Sequence, residues 1–205
     1  MSAPRCVAVL GGTFDPVHAG HLAILGQVRR SVDADEAWLL PTNLPGHRRP
    51  ALASVDDRLA MVRAAAEGDP AVRVVDLEAR RQGPSYTIDT LDELERGFPG
   101  VQFWLVLGAD AARDIAGWHR AAEVLARARF VLVNRAGVPP LGDAEARALG
   151  FDPGRTRLIH VDSPPVSATE IRRRVAAGQP VEGMVTAPVA RIIAERGLYR
   201  DRDQR

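Results

Sequence analysis

The chain has 205 residues, of which 46% are hydrophobic and 26% charged, and its formal net charge is +1. This composition is typical of one soluble domain, and the near-neutral charge gives no reason to expect binding to nucleic acid or to a membrane. The single cysteine, Cys6, excludes an internal disulfide, and no apolar run approaches the roughly 20 residues of a membrane span, so we expect a cytoplasmic protein.

Short apolar runs alternate with longer amphipathic stretches along the chain. The apolar runs predict strands at Cys6–Leu10, Ala37–Leu40, Val72–Val75, Phe103–Leu107, Phe130–Val133 and Leu158–Val161. The amphipathic stretches predict helices at Ala19–Ser31, Val55–Glu67, Tyr86–Arg96, Ala121–Ala126, Ser167–Ala177 and Pro188–Arg196. Because polar residues hardly interrupt the strands, we expect a parallel sheet that is covered by helices on both faces.

The alternation of strands and helices predicts an α/β fold, a Rossmann-like, doubly wound parallel sheet. In such folds ligands bind beyond the carboxyl ends of the strands. We expect one domain over residues 1–205, with a core at about 5–177 and a C-terminal helix and tail at 178–205. The Pro- and Gly-rich stretch 136–155 is expected to be a surface excursion with one short helix.

The first predicted strand runs into the segment "GGTFDPVHAGH". Gly11 and Gly12 suggest a sharp backbone turn and a close approach to a ligand. The segment has neither the dinucleotide fingerprint G-x-G-x-x-G nor the G-K-[ST] of a P-loop.

His18 and His21 follow at the predicted start of a helix. Three interpretations are open: packing or capping at the helix start, a metal pair on one helix face, or an anion site. No third metal ligand is obvious, and the partial positive charge of a helix N-terminus disfavours a cation. The electrostatics therefore favour an anion, gripped by imidazole and backbone N–H donors.

The same segment resembles the G-x-F-D-P-x-H-x-G-H signature of the nucleotidyltransferase superfamily. The resemblance implies that His18 and His21 contact the triphosphate of a nucleotide and stabilise the departing pyrophosphate. It also implies that the nucleotide lies against the backbone that precedes them, at residues Gly11, Gly12, Thr13 and Phe14.

Within that superfamily the chain is similar to the bacterial nicotinate mononucleotide adenylyltransferases. The segment "LPGHRRP" resembles the family's P-P-H-K segment, with His47 and Arg48 at the positions of its histidine and basic residue. Gly46 replaces the usual second proline. The alternative is a polar loop without a ligand.

The segments "PSYTIDTL" and "GADAARDIAGWH" resemble the family's pyridine site. The resemblance implies that Trp118 stacks on the nicotinate ring, that Thr87 and the His119 backbone N–H hold the carboxylate, and that Tyr86 lines the pocket. The alternatives are a core aromatic residue for Trp118 and a helix cap for Thr87.

Gly108 and Asp110 begin the second of these segments, where a predicted strand ends. This position faces the expected ligand crevice. By the same resemblance, Asp110 binds a ribose hydroxyl of the substrate.

The segment "PPVSATEIRRRV" resembles the family's C-terminal I-S-S-T-x-I-R motif, with Ala168 in place of its second serine. Ser167 and Glu170 fit a capping box, which would point the N–H groups of a helix start at the phosphates.

Thr169 and Arg172 are three residues apart and share a helix face, so both can reach the phosphates. Arg173 and Arg174 point away from that face by about 100° and 200°, and we expect them in solvent.

The implied enzyme transfers the adenylyl group of ATP to nicotinate mononucleotide and releases pyrophosphate. The acceptor's phosphate is already an anionic nucleophile, so no general base is needed. We expect Mg²⁺ to bind the ATP phosphates without a dedicated protein ligand. Two alternatives remain: an enzyme similar to phosphopantetheine adenylyltransferase, and a non-catalytic nucleotide-binding regulator. The oligomeric state does not follow from the sequence.

Overall fold

A computed structural model describes residues 5–45 and 50–200. In chain order its strands are β1 (Cys6–Gly12), β2 (Glu36–Pro41), β3 (Leu44–Pro45), β4 (Val72–Val74), β5 (Pro84–Ser85), β6 (Gln102–Gly108), β7 (Arg129–Asn134) and β8 (Thr156–His160). All six strands predicted from the sequence are confirmed, and the short pair β3 and β5 was not predicted.

The helices comprise α1 (Ala19–Ser31), α2 (Val55–Ala66), α3 (Leu77–Arg80), α4 (Thr87–Gly97), α5 (Ala109–Arg113), α6 (Ala121–Arg127), α7 (Asp143–Ala148), α8 (Ala168–Ala176) and α9 (Ala187–Glu195), with a 3-10 turn at Ile115–Gly117. The six predicted helices are confirmed, and α7 is the short helix expected in the 136–155 excursion. Within the described parts of the chain, no helix is long and apolar enough to cross a membrane.

The main sheet has the order β4-β2-β1-β6-β7-β8, and all its strands are parallel. Counted among the six sheet strands, this order is 3-2-1-4-5-6, which is that of doubly wound nucleotide-binding folds. The strand order switches direction between β1 and β6: β2 and β4 are added on one side of β1, and β6, β7 and β8 on the other. The pairing of β1 with β6 ends with Val9 opposite Leu105, although the two strands continue to Gly12 and Gly108. The two carboxyl ends therefore border an open crevice.

Each face of the sheet has its own apolar core, as expected for strands that are buried on both sides. Alternate strand residues such as Ala8 and Val131 pack with α1, α2, α8 and α9 on one face. Their neighbours, such as Val9 and Leu132, pack with α4, α5, α6 and α7 on the other.

The sharp turn predicted at Gly11 and Gly12 is wrong in its position. Both glycines belong to β1 and pair with Leu40 and Pro41 of β2. The chain turns just beyond them, where Phe14 has a φ of 49° in the left-handed region. The strand continues because its pairing with β2 satisfies the backbone of both glycines.

Candidate active site

The carboxyl end of β1 brings backbone to the floor of the crevice. Gly11 is exposed there and Gly12 is half-buried. A Cβ at Gly12 would lie 3.1 Å from the Phe14 ring, so the left-handed turn at Phe14 folds its side chain against the glycine. Thr13 lies between them, and its carbonyl accepts a 2.7 Å hydrogen bond from Arg58. This segment thus presents a fixed, open backbone to the crevice.

His18 and His21 form a stacked pair at the start of α1. His18 is the N-cap residue, and its backbone N–H donates to Nδ1 of His21 at 3.3 Å. The two rings stack with centroids 3.7 Å apart, and Phe14 meets the His21 ring edge-on at 5.0 Å. Because Nδ1 of His21 accepts this bond, the proton of the neutral ring lies on Nε2, which is then a donor without a partner among the described residues.

Both imidazoles are held neutral. Burial, with a smaller contribution from Arg135, lowers the pKa of His18 to about 4. Burial, then His18 and Arg135, lowers the pKa of His21 well below its ordinary value. Nδ1 of His18 is buried without a hydrogen-bond partner in the described structure. The His21 ring therefore caps the helix start, as one of the three interpretations predicts, and the unpaired atoms of the two rings beside the helix N-terminus also fit an anion site.

Close packing explains why glycine occupies position 20, between the two histidines. A Cβ there would lie 3.1 Å from the His18 ring and 3.7 Å from the carbonyl oxygen of Pro164. The glycine therefore lets α1 approach the loop that follows β8. Next to this contact is a cavity of about 240 Å³, lined by the loops that follow β7 and β8, from Arg135 to Val138 and from Ser163 to Ser167.

The start of α8 supplies a second group of donors. Ser167 is its N-cap, and its hydroxyl accepts from the Glu170 N–H at 3.2 Å, so that half of the predicted capping box is present. The Glu170 carboxylate instead binds Arg173 and Arg174 at 2.8 and 2.9 Å, because both arginines lie on its exposed side.

Arg172 takes a different direction from its two neighbours. Its Nη2 donates to Thr169 Oγ1 at 3.3 Å, as the shared helix face predicts, and its Nη1 donates to the carbonyl oxygen of Asp15 at 2.6 Å. The structure therefore joins Arg172 to the segment that carries the histidines, although the two are 157 residues apart. Arg173 is exposed, as predicted, whereas Arg174 is half-buried because it pairs with Glu170.

Three residues of the predicted pyridine site, Tyr86, Trp118 and His119, lie near one another. The rings of Tyr86 and His119 are 4.4 Å apart, and Tyr86 and Trp118 pack, half-buried, against the same apolar core. Trp118 ends the 3-10 turn, and the chain reverses at Arg120, whose φ is 53°. The backbone N–H of His119 has no acceptor among the described residues.

Thr87 is the first residue of α4, and Tyr86 is its N-cap, so the capping alternative for Thr87 does not apply. No protein hydrogen bond engages the Thr87 hydroxyl within residues 5–45 and 50–200. Behind it, Thr90 Oγ1 donates to buried Glu78 at 2.7 Å and accepts from Arg81 at 3.2 Å. This network anchors α4 and leaves its first residue free to meet a ligand.

Gly108 and Asp110 lie where β6 becomes α5. Gly108 is the N-cap of that helix, and a Cβ there would lie 2.6 Å from Asp110 Oδ1. A side chain at position 108 would therefore have to displace this carboxylate. Asp110 is exposed at the crevice edge, a position from which it can accept from a hydroxyl.

His47 and Arg48, with Gly46, lie outside the described residues, so their predicted role stays a prediction. The chain just before them is anchored. Arg58, 2% exposed, donates to the carbonyl oxygens of Thr42 at 2.7 Å and Asn43 at 3.3 Å.

Within the described ranges, no group of three or more His, Cys, Asp or Glu side chains could hold a metal ion. A larger cavity of about 530 Å³ lies between α8 and α9, and none of the predicted site residues lines it.

Four side chains near the site were not predicted: Asp15, Arg58, Arg135 and Tyr199. Arg135 directly follows β7, so the rule that ligands bind at the carboxyl ends of strands could have found it. Arg58 and Tyr199 carry no local signal, because their partners are distant in sequence. Asp15 lies in the recognised segment, but the residues that donate to its side chain do not.

A family model described as cytidylyltransferase-like matches residues 9–174. The chain is 36% identical over 203 residues to a protein of Halalkalibacterium halodurans named probable nicotinate-nucleotide adenylyltransferase, covering 97% of this chain and 93% of that protein. A protein of the same name from Saccharopolyspora erythraea is 34% identical, with 99% and 93% covered.

Among solved structures, the chain resembles Plasmodium falciparum nicotinic acid mononucleotide adenylyltransferase complexed with NaAD. The TM-score is 0.79 with 18% identity, and the match covers 95% of this chain and 97% of that one. At this identity the likeness concerns the fold, and it agrees with the strand order described above.

Proposed function

Since the chain belongs to the nicotinate-nucleotide adenylyltransferases within the cytidylyltransferase-like family, we propose that the crevice between β1 and β6 carries out their reaction. The enzyme transfers the adenylyl group of ATP to nicotinate mononucleotide, which gives nicotinate adenine dinucleotide and pyrophosphate in NAD biosynthesis. The observation that carries the assignment of the site is the neutral, stacked pair His18 and His21, joined to Arg172 through one backbone segment.

The phosphate side of the crevice acts by position and charge. We propose that Nε2–H of His21, the Arg172 guanidinium and the free N–H groups at the start of α8 bind the triphosphate together. These donors stabilise the charge that develops on the departing pyrophosphate without moving first. We infer that the nucleoside of ATP enters the 240 Å³ cavity beside Arg135.

The acceptor side orients the nucleophile. The phosphate of nicotinate mononucleotide attacks the α-phosphorus of ATP in line with the leaving group, so holding the two substrates in register supplies much of the rate. We propose that Trp118 stacks on the pyridine ring, that the His119 N–H and Thr87 hydroxyl bind its carboxylate, and that Asp110 accepts from a ribose hydroxyl. His47 and Arg48 are proposed to contact the phosphate.

We propose that Mg²⁺ enters the site on the ATP phosphates. Mg²⁺ usually keeps several waters and binds through substrate phosphates, so it needs no protein cage. The ion would neutralise charge between the phosphates, while the imidazoles and Arg172 hold the triphosphate in place.

We further propose a single nucleotidyltransferase domain over residues 1–205, with a core at about 5–177 and a helical C-terminal part from 178. Support comes from the apolar residues of α9, which pack into the same core as α1 and α2. A cytoplasmic location fits the lone cysteine and the metabolic substrates.

The test is to incubate the protein with ATP, Mg²⁺ and one acceptor at a time, and to measure pyrophosphate. We expect rapid release with nicotinate mononucleotide, slower release with nicotinamide mononucleotide and none with phosphopantetheine. Turnover of phosphopantetheine instead would favour the second enzyme, and ATP binding without turnover of any acceptor would indicate a regulator.

A further inference from the structure

The side chain of Asp15 connects three distant parts of the chain. It is 7% exposed. Its Oδ1 accepts from the Tyr199 hydroxyl at 2.8 Å and from the Ala53 N–H at 3.1 Å, and its Oδ2 accepts from the Leu52 N–H at 2.7 Å. A buried carboxylate with three donors is fixed in orientation.

Both the backbone carbonyl and the carboxylate of Asp15 lie close to the Arg172 guanidinium. Nη1 of Arg172 donates to the Asp15 carbonyl at 2.6 Å and lies 3.9 Å from the Asp15 carboxylate. Apart from Thr169, these are the contacts that orient the guanidinium in the described structure. An arginine that must meet phosphate oxygens at one place gains from such preorganisation.

Tyr199 is a buried donor to this carboxylate. The residue is 3% exposed, and burial, then the charge of Asp15 and the hydrogen bond to it, raises the pKa of its phenol well above the ordinary value. The phenol therefore stays protonated and donates. Arg58 and Arg172 are the cations near it, and they oppose this rise.

The backbone of Tyr199 is also unusual. Its φ of 62° lies in the left-handed region, which a large side chain rarely adopts. Backbone strain of this kind persists where the surrounding structure requires one side-chain direction, and it is frequent near functional sites. In this conformation the Tyr199 hydroxyl reaches Asp15, which is 184 residues away in sequence and lies in the segment that carries the histidines.

We propose that Tyr199 is a positioning residue, whose hydroxyl fixes the Asp15 carboxylate so that Asp15 holds Arg172 at the triphosphate site. The inference rests on the proposed function, because it takes Arg172 to bind the phosphates of ATP. It gives the C-terminal end of the chain a part in nucleotide binding, although none of its side chains needs to touch the nucleotide.

The test compares Tyr199→Phe with a packing control. Tyr199→Phe keeps the ring and removes one hydrogen bond to a charged group. We therefore expect kcat/KM for ATP to fall about tenfold, while KM for nicotinate mononucleotide stays within about twofold. Val189→Ala removes apolar contact in the same core, and we expect it to lower Tm without changing kcat/KM for ATP.

A double-mutant cycle separates positioning from general destabilisation. If Tyr199 acts through Arg172, Tyr199→Phe causes no further loss in the Arg172→Ala background. The same tenfold loss in both backgrounds, or parental kinetics for Tyr199→Phe, would overturn the proposal.

Binding of a non-hydrolysable ATP analogue, measured by calorimetry on the same four chains, keeps the two proposals distinct. If the parent does not turn over nicotinate mononucleotide, the proposed function fails, yet the cycle in analogue affinity still reports whether Tyr199 acts through Arg172.

Should Tyr199→Phe fail to fold, fluorine NMR on parent protein that contains 3-fluorotyrosine puts the same question. The chain has two tyrosines, and Tyr86→Phe assigns the two signals. We expect the Tyr199 signal to move when the ATP analogue binds the parent, and to stay fixed in Arg172→Ala. A signal that is unmoved in the parent, or that moves equally in both, would contradict the proposal.

Discussion

The two sides of the crevice are built differently. On the phosphate side, protein contacts hold the predicted binding groups in place. The His21 ring accepts from the His18 N–H and packs against the rings of His18 and Phe14. The Arg172 guanidinium donates to Thr169 and Asp15. On the pyridine side, Trp118 and Tyr86 are half-buried, and the Thr87 hydroxyl and the His119 N–H have no partner among the described residues.

This difference follows from what each side must do. Charge that develops in a transition state is best stabilised by groups that are already oriented, since they need no reorganisation during the reaction. A planar ring and its carboxylate can be bound by groups that become ordered with the ligand. Changes on the phosphate side should therefore lower kcat, and changes on the pyridine side should mainly raise KM.

The largest expected effect is that of His21→Ala. Loss of one preorganised donor to a developing charge costs about 10²–10³ in rate, so kcat should fall by that factor while KM for nicotinate mononucleotide changes little. Steady-state kinetics of pyrophosphate release measures both constants. His21→Asn can still offer an oxygen to the His18 N–H, and it should lose as much kcat.

His160→Ala is the matched control for these variants, because His160 is exposed on the edge strand β8 and should tolerate the change. A folded His21→Ala protein that keeps kcat within about fivefold of the parent, roughly 1 kcal/mol, would refute the phosphate-binding role.

The second effect is a pH dependence of stability. His18 has a folded pKa of about 4 because it is buried, and its pKa in the unfolded chain is close to 6.5. As the pH falls from about 6.5 to 4, the unfolded chain takes up a proton that the folded protein does not, so the free energy of unfolding decreases, by about 3 kcal/mol for this residue.

Urea unfolding at several pH values tests this difference. His18→Asn should flatten the decrease below pH 6.5, whereas His160→Asn, at an exposed position, should leave it as in the parent. An unchanged slope for His18→Asn would mean that the buried imidazole is not the titrating group.

Arg172→Ala should reduce kcat/KM for ATP by roughly 50-fold, because a hydrogen bond to a charged group is worth about 1.5–3 kcal/mol. Arg174→Ala should stay within about twofold, since a solvent-accessible ion pair such as its bond to half-buried Glu170 contributes little. Kinetics with varied ATP compares the two. Equal losses would place both arginines, or neither, at the triphosphate.

On the pyridine side the expected effects are smaller and fall on KM. We expect the parent to prefer the acid over the amide by roughly 10–100-fold in kcat/KM, because the amide would leave a buried donor unpaired at about 1–3 kcal/mol. Trp118→Ala should raise KM for both mononucleotides without reversing the preference for the acid. Thr87→Ala should reduce the ratio of kcat/KM between the acid and the amide. A parent that uses both equally well would contradict this pocket.

The fold was largely predictable, and the reason is visible in β1 and α1. A short run of buried Val and Leu, and thirteen residues of amphipathic helix, carry their structure locally. Helices such as α3 and α5 are too short to show a period, with four and five residues, so the sequence does not distinguish them from loops.

For the site, the motifs predicted the residues that face ligand and missed those that hold them. His21 and Arg172 stand in recognisable segments. Asp15 also stands in a recognisable segment, but Tyr199, which donates to it, lies 184 residues away. Arg58, which donates to the Thr13 carbonyl, is near the start of an ordinary helix. Hydrogen bonds between distant residues leave no periodicity, so the support of Arg172 became visible only in the folded chain.

The central claim is that a neutral His21, with its proton on Nε2, donates to the triphosphate. Nitrogen-15 NMR of the imidazole rings measures this directly, and with five histidines in the chain, His21→Ala assigns the signal. At pH 7 the account predicts a neutral His21 ring protonated on Nε2, whose Nε2 signal moves when a non-hydrolysable ATP analogue with Mg²⁺ binds. A ring that is charged at pH 7, protonated on Nδ1, or unmoved by the bound analogue would contradict it.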